Sequence, residues 1–381
     1  MQNGALYNVN EAEKTFEAFN RLRQFRFIDI QFSQPESIKD TNLLNSHIRL
    51  APLSKQSVSF DIEGTNSSGN LGIAGNVNYR HRNLFKGAEV FQLGFKGAME
   101  RQQRVVDNVS EYFNTREFGA ESKLTFPKLI GPDIANLFSE FLPKTVVSIG
   151  YNFQRRPEYT RTISNVTFGY NWMTSEYTLH NWNLMDFNMV RLYQFDPEFL
   201  NIIRDLYIKS SFTDHLIFAT NYSFVYNTQD ISANRNYIYW RFNAESAGNL
   251  AYLISRLANR PMVQAVDTLG LGFSEFYRIF NTRFAQYLKS DLEFRYGYII
   301  DKYNALVSRA FVGIGFPYGN FDVLPFEKKY FTGGANGIRA WQVRSLGPGT
   351  YEAPENAYPN QSSDIKLEVN LEYRFHLISF L

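Results

Sequence analysis

The residues best placed to do something specific lie late in the chain. Between Tyr330 and Trp341 stand Phe331, Gly333, Gly334, Gly337, Ile338, Arg339 and Trp341. Nearby glycines permit positive-φ backbone and a close approach to a wall, and here they lead into an arginine. The spacing matches neither the dinucleotide fingerprint nor a Walker pattern, so it makes no phosphate cradle. Standing alone it would read as a glycine-rich turn with an exposed Arg. Other chemistries are thinly supplied. The absence of cysteine excludes disulfides, thiolate zinc sites, iron–sulfur clusters and cysteine nucleophiles. The five histidines, at 47, 81, 180, 215 and 376, include no pair at metal-ligand spacing. No G-x-S-x-G elbow occurs. No catalytic residue, no metal and no cofactor is therefore expected. Lys and Arg number 39 against 37 Asp and Glu, a formal charge of +2, which gives no global reason to bind nucleic acid.

What must position these residues is a β structure. With 35 Phe, 24 Tyr and 4 Trp, aromatics make 17% of the chain, yet mean hydropathy is only −0.32. No run of 18 apolar residues exists, which excludes a helical membrane protein, and the aromatic content excludes a disordered one. Polar average with abundant aromatics is the signature of a transmembrane β-barrel, whose strands alternate lipid-facing and interior residues between aromatic girdles. A large soluble β protein is the alternative.

Twelve strands are expected: Gln56–Asn66, Asn70–Arg82, Ala88–Arg101, Tyr112–Phe126, Lys144–Phe153, Arg161–Trp172, Glu176–Val190, His215–Asn227, Asn236–Glu245, Phe284–Tyr298, Asn304–Phe316 and Asp364–Phe375. Most run 10–14 residues, longer than the roughly 5–6 of soluble sheets. In the last, Ile365, Leu367, Val369, Leu371, Tyr373 and Phe375 share one face, while Asp364, Lys366, Glu368, Asn370, Glu372 and Arg374 share the other. Lys289, Asp291, Glu293 and Arg295 against Leu288, Leu292, Phe294 and Tyr296 repeat the arrangement. Strand number and length favour the barrel, whose charged face would line a lumen. Late connections alternate short and long (228–234, 246–275, 299–303, 317–363), as periplasmic turns and extracellular loops do. The long 127–143 connection breaks that parity and is expected to place a short helix on the rim. Helices are also expected at Pro197–Leu206 and Gly248–Leu257.

Residues 1–50 differ. Asn10 is expected to cap a helix from Glu11 to about Arg23, with Phe16, Phe19 and Leu22 on one face, followed by a strand Phe25–Phe32. This helix–strand unit is too short to stand alone. Met1–Gly4 opens without a charged or apolar leader, so the sequence reads as a fragment of an exported protein.

The pattern Phe331-x-Gly333-Gly334-x-x-x-Ile338-Arg339, with Trp341 following, sits in a long loop before a late strand. It resembles the BamA/TamA superfamily of outer-membrane assembly and translocation proteins. Ala340 stands where that family usually has glycine. The turn Arg82–Glu89 and the hairpin around Asn66–Gly75 are similar to the family's opening hairpins, and the texture is closest to the TamA-like (TamL) branch of Bacteroidetes. The resemblance covers essentially the whole chain. It implies an all-β fold, a transmembrane antiparallel barrel with about 12 of 16 strands present, in residues 51–381. Residues 1–50 would be the end of an α/β POTRA domain and its linker, in the periplasm.

The resemblance also implies roles. The 317–363 loop would fold back into the lumen, Arg339 pairing with the wall acid Glu372, with Glu368 a second candidate; a buried Arg stranded by loss of that acid would cost on the order of 3–5 kcal/mol. The first strand would offer a pairing edge, Ser57, Val58, Ser59, Phe60, Asp61, Ile62, Glu63 and Gly64, to an incoming client strand by β-augmentation. An ordinary polar first strand fits those residues equally well. Expected partners are outer-membrane lipid, unfolded outer-membrane or secreted clients, and a TamB-like or other assembly-machine subunit. A passive outer-membrane channel and a two-partner-secretion transporter are the alternatives, and an enzyme is not expected.

Overall fold

The computed structural model describes residues 4, 6–34, 43–67, 70–101, 114–131, 143–195, 213–230, 234–266, 273–347, 349–350 and 361–377. Helix α1 (Val9–Leu22) opens the chain. Its cap is Asn8, not Asn10. Asn8 holds extended backbone, its side chain accepts from the Asn10 N–H at 3.0 Å, and its carbonyl accepts from Ala12 at 3.2 Å. Arg23, at φ 53°, closes the helix in the left-handed region. Strand β1 (Phe25–Ser33) then pairs antiparallel with β2 (Asn45–Pro52), a strand the sequence pattern does not announce. All its positions but two are exposed, so no apolar alternation marks it. The unit rests on the first long turn of the wall: Gln24 Nε2 donates to the Ala88 carbonyl at 3.1 Å.

The wall is a twelve-stranded antiparallel sheet in which neighbours in sequence are neighbours in space. Its strands are β3 (Gln56–Ser67), β4 (Asn70–Arg82), β5 (Val90–Glu100), β6 (Thr115–Phe126), β7 (Lys144–Arg155), β8 (Tyr159–Ser175), β9 (Thr178–Phe195), β10 (His215–Asn227) and β11 (Tyr237–Ala247). After an elaborated connection come β16 (Tyr287–Ile299), β17 (Asn304–Pro317) and β18 (Ile365–Phe375). Strands β8 and β9 outrun their expected ends, reaching 17 and 18 residues across a tight turn. Among the described residues β3 and β18 each pair on one side only. Tyr112, the helix at Pro197–Leu206 and most of the rim segment 127–143 lie outside the described residues.

The β11–β16 connection holds helix α2 (Asn249–Leu257), with Gly248 before it at φ 74°, and two small hairpins: β12 (Val263–Val266) with β13 (Phe273–Phe276), and β14 (Arg278–Ile279) with β15 (Thr282–Arg283). The strand expected from Phe284 therefore starts at Tyr287. Phe284 instead bridges in parallel to Leu216, where the Ala285 N–H finds the Leu216 carbonyl at 2.7 Å.

Period-two alternation divides the wall into two faces. Outward stand Val58, Phe60 and Ile62 on β3, Leu288, Leu292 and Phe294 on β16, and Ile365, Leu367, Val369 and Leu371 on β18, all exposed. An exposed apolar belt of this extent is the lipid face of a transmembrane barrel. Inward stand the charges, and there the first part of the loop after β17 packs. Buried Ile217, Ala219, Ala247, Ala285 and Tyr287 meet Phe321, Val323 and Leu324 of that loop.

Candidate functional site

The inner face of β10–β18 and the loop laid against it make the candidate site. The loop's first contact is a wedge. Phe321, Val323 and Leu324 are 0–1% exposed, held by Asn320. The Tyr277 N–H donates to Asn320 Oδ1 at 2.6 Å, Asn320 Nδ2 donates to the Tyr277 and Phe284 carbonyls at 3.1 and 2.9 Å, and Arg283 Nε donates to its carbonyl at 2.6 Å. Arg283 Nη2 also reaches Asp322 Oδ2 at 3.0 Å. Glycines of β17 make room. A Cβ on Gly315 would lie 2.3 Å from Leu324 Cδ1, and one on Gly313 would lie 2.6 Å from Tyr330 Cζ.

Next come polar tethers. His215 Nε2 and Glu327 Oε1 are 2.7 Å apart, and Lys328 Nζ lies 2.7 Å from Glu245 Oε1. Burial pushes the Glu327 carboxyl up, but the charge and hydrogen bond of His215 outweigh it and hold the group near 2. Tyr330 packs edge-on to Phe311, its ring centre 6.0 Å away, with Lys289 Nζ 4.4 Å above its ring. Tyr330 and Ser363 exchange two backbone hydrogen bonds of 2.8 Å, tying the loop's entry to its exit.

Beyond that tie lies the glycine motif. Gly333 and Gly334 take φ of 85° and 87°, and the Gly334 N–H donates to the Trp341 carbonyl at 2.9 Å. A Cβ at Gly333 would fall 2.1 Å from the Gln342 carbonyl oxygen, so both conformation and space require glycine. Phe331 stacks under Arg344, whose guanidinium carbon is 4.7 Å from its ring centre and 4.3 Å from that of Phe326. Ile338 is half-buried, and Trp341 is exposed. Arg339 Nη2 lies 2.9 Å from Glu372 Oε1, which faces it from β18 beside Arg374. The Arg339 side chain is 69% exposed and that of Glu372 33%. The cost expected for a buried Arg therefore does not apply; an exposed pair contributes about 0–1 kcal/mol.

Glu368 is not a partner of Arg339. Arg309 Nη1 donates to its Oε1 and Lys366 Nζ lies 2.9 Å from its Oε2, with Gly337 of the loop passing overhead. This corrects the second sequence candidate. The buried electrostatic centre is two strands further in, at Glu293 of β16, which is 1% exposed. Arg241, Arg295 and Arg309 bring guanidinium nitrogens to 2.8, 2.6 and 2.6 Å of its oxygens. Arg309 also donates to the loop carbonyl of Asn336 at 3.3 Å, so one side chain joins β16, β18 and the loop. In the sequence Glu293 is one of several residues on the charged face; Arg241 stands at its paired position, and Arg309 is diagonal to it, opposite Arg295.

The proposed client edge, Ser57 to Gly64, lies wholly on β3. Each residue pairs with β4, from Ser57 opposite Arg80 to Gly64 opposite Ile73, and no strand covers the other side among the described residues. Val58, Phe60 and Ile62 are 53%, 74% and 85% exposed.

A search of curated proteins returns no match. Among solved structures the chain is similar to BamA from Haemophilus ducreyi lacking POTRA domains 1–3, with TM-score 0.59 and 11% identity over 98% of this chain and 62% of that one. It also aligns with CdiB from Acinetobacter baumannii, with TM-score 0.48 and 10% identity over 99% of this chain and 64% of that one. The chain thus spans under two thirds of the length of either. At such identities the BamA likeness speaks for the fold alone. The Omp85 superfamily domain matches residues 56–380, from the first residue of β3 past the end of β18, and on that match the chain belongs to the Omp85 superfamily.

Proposed function

We propose that this chain is the barrel portion of an outer-membrane protein assembly or translocation factor, acting mechanically, with no catalytic step. Residues 1–50 would stand on the periplasmic side as the end of a POTRA domain. The reading gives β3 the working role. Its backbone N–H and C=O groups along Ser57–Gly64 would receive the strand of an unfolded outer-membrane or secreted client by β-augmentation. Unpaired backbone costs several kcal/mol per group in hydrocarbon, so such an edge binds whatever strand completes it. The loop motif would keep the opposite side of the wall in one shape while the edge exchanges partners, with Arg339 and Glu372 setting the loop tip.

The single observation that carries this reading is the Omp85 superfamily match over residues 56–380, which begins at β3. Its test uses the full-length protein in cells. Photo-crosslinking residues placed at Ser59 and Asp61 should capture unfolded barrel proteins or an exported client, while the same residue at Lys302, on a turn, should not. Depletion should lower the folded barrel content of the outer membrane. Capture equal at all three positions, or depletion without effect on other outer-membrane proteins, would reject the assignment. Accumulation of one secreted protein alone would mark a dedicated transporter.

A further inference from the structure

We propose that helix α2 is a membrane-interface helix: its apolar flank lies in the lipid boundary at the end of the wall opposite α1, and Arg256 and Arg260 face the headgroups. Three sectors of α2 carry distinct surfaces. Ala251 and Ser255 are buried at 4% and 1%. Leu250, Leu253, Ile254 and Leu257 are 54%, 51%, 51% and 74% exposed; at i, i+3, i+4 and i+7 they form one stripe beside the docked face. Asn249 and Arg256 lie on the remaining flank, which is polar.

What the docked face touches decides what the stripe meets. Ala251 packs on Leu216, Phe284 and Tyr277, with Phe187 and Met189 against the same cluster. Leu216 pairs with Met189 and Phe218 with Phe187. Ile217 and Ala219, which alternate with them, face the inner core. Helix α2 therefore sits on the outer, lipid-facing side of β9 and β10, not over the lumen.

Its height is fixed as well. Gly248 follows directly on Ala247, and the neighbouring Ser246 pairs with Leu288, which in turn pairs with Phe316. Leu288 and Phe316 are the last exposed outward apolar residues of their strands, at 50% and 62%. Phe316 stacks on Tyr318, which donates to Asn249 Oδ1 at 2.8 Å. Aromatic rings with a polar tip mark the bilayer boundary, and α2 starts at that level. Its stripe is continuous with the apolar belt below, which makes lipid the occupant. Four large apolar side chains facing water would each forgo the burial that such a helix obtains in an interface.

This inference rests on the outer face of the sheet being lipid-facing; it does not depend on client handling. The absence of cysteine in the sequence allows clean single-site labelling. Spin labels on Leu253→Cys, Leu257→Cys and Arg256→Cys, in the full chain reconstituted in phospholipid nanodiscs, would be compared with Leu292→Cys on the belt and Lys302→Cys on a turn. The expected result is an oxygen-to-nickel-chelate accessibility ratio at 253 and 257 several-fold above that at 302 and approaching that at 292, with 256 on the aqueous side. A ratio at 253 equal to that at 302 overturns the inference, as does shielding from both relaxants, which would mean a protein covers the stripe. A belt-like ratio at 292 in either case would leave the barrel reading intact.

Discussion

The two ends of the wall are built differently. In β3–β5 the inner face carries little that is buried; Ala74 is the one buried apolar residue among the described positions of these strands. The outward Gly64 and Gly97 would each carry a Cβ that meets no atom within 4 Å, whereas the inward Gly72 and Gly94 face side chains of the same wall, Glu100 with Thr65 and Asn78. In β16–β18 every inward glycine is filled, Gly313 by Tyr330, Gly315 by Leu324 and Gly297 by Tyr237. Inward glycines are thus filled by the wall alone at one end, and by the returning loop as well at the other. Fold stability is not uniform along such a sheet, and of its two one-sided edges among the described residues, β18 has the loop packed behind it and β3 does not.

The largest effect should come from the buried acid of the tight region. Glu293→Ala leaves Arg241, Arg295 and Arg309 without their shared carboxylate and should cost about 3–5 kcal/mol, read as a lower denaturant midpoint of the folded barrel by its electrophoretic shift. If Glu63→Ala on β3 cost as much, the contrast between the regions would be gone. A pair of glycine substitutions sharpens it. Gly315→Ala should lose ~1–3 kcal/mol through overpacking against the fully buried Leu324 and should raise protease cleavage within the loop. Gly97→Ala should gain ~0.5–1 kcal/mol, since glycine is the poorer strand former. Equal losses at both sites would show that the early strands tolerate no added side chain even on their open outward face.

Arg339→Ala should change the midpoint by about 0–1 kcal/mol, because the pair with Glu372 is exposed. A loss as large as that of Glu293→Ala would relocate the anchor to the loop tip. The smallest effect is on pH. The Glu327 carboxyl is depressed from 4.5 to about 2 by His215, so its contribution is present above the ordinary carboxylate range and lost as pH falls toward 2. Loop proteolysis should therefore stay constant down to about 4.5 and rise below it, a rise that Glu327→Gln should abolish.

Much of the wall was legible because alternation is a local property. Strands β16 and β18 announce themselves by charge on every second residue, and lengths above ten residues set them apart from soluble sheets. Strand β2 was silent since Asn45–Pro52 is almost wholly exposed and alternates nothing. The loop divided similarly. Its glycine motif could be read from residue type and spacing, whereas its wedge could not. Phe321 is 1% exposed and Phe331 is 38%, and nothing in the residue itself separates them; only the return of the loop onto Tyr287 and Ala247 does. Glu293 was hidden for the same reason. Its inward parity and Arg295 beside it were evident, but the guanidiniums of Arg241 and Arg309 come from strands that meet β16 only in the folded sheet.

Asn320 gives the loop a property of a latch. Its side chain and carbonyl are bonded to Tyr277, Phe284 and Arg283 in the β11–β16 connection, all inside the protein. Drawing the wedge off the wall would strand those partners together. Release must therefore be cooperative, with the collar around 277–286 loosening in the same event as the loop, and a partial withdrawal residue by residue has no low-energy stopping point.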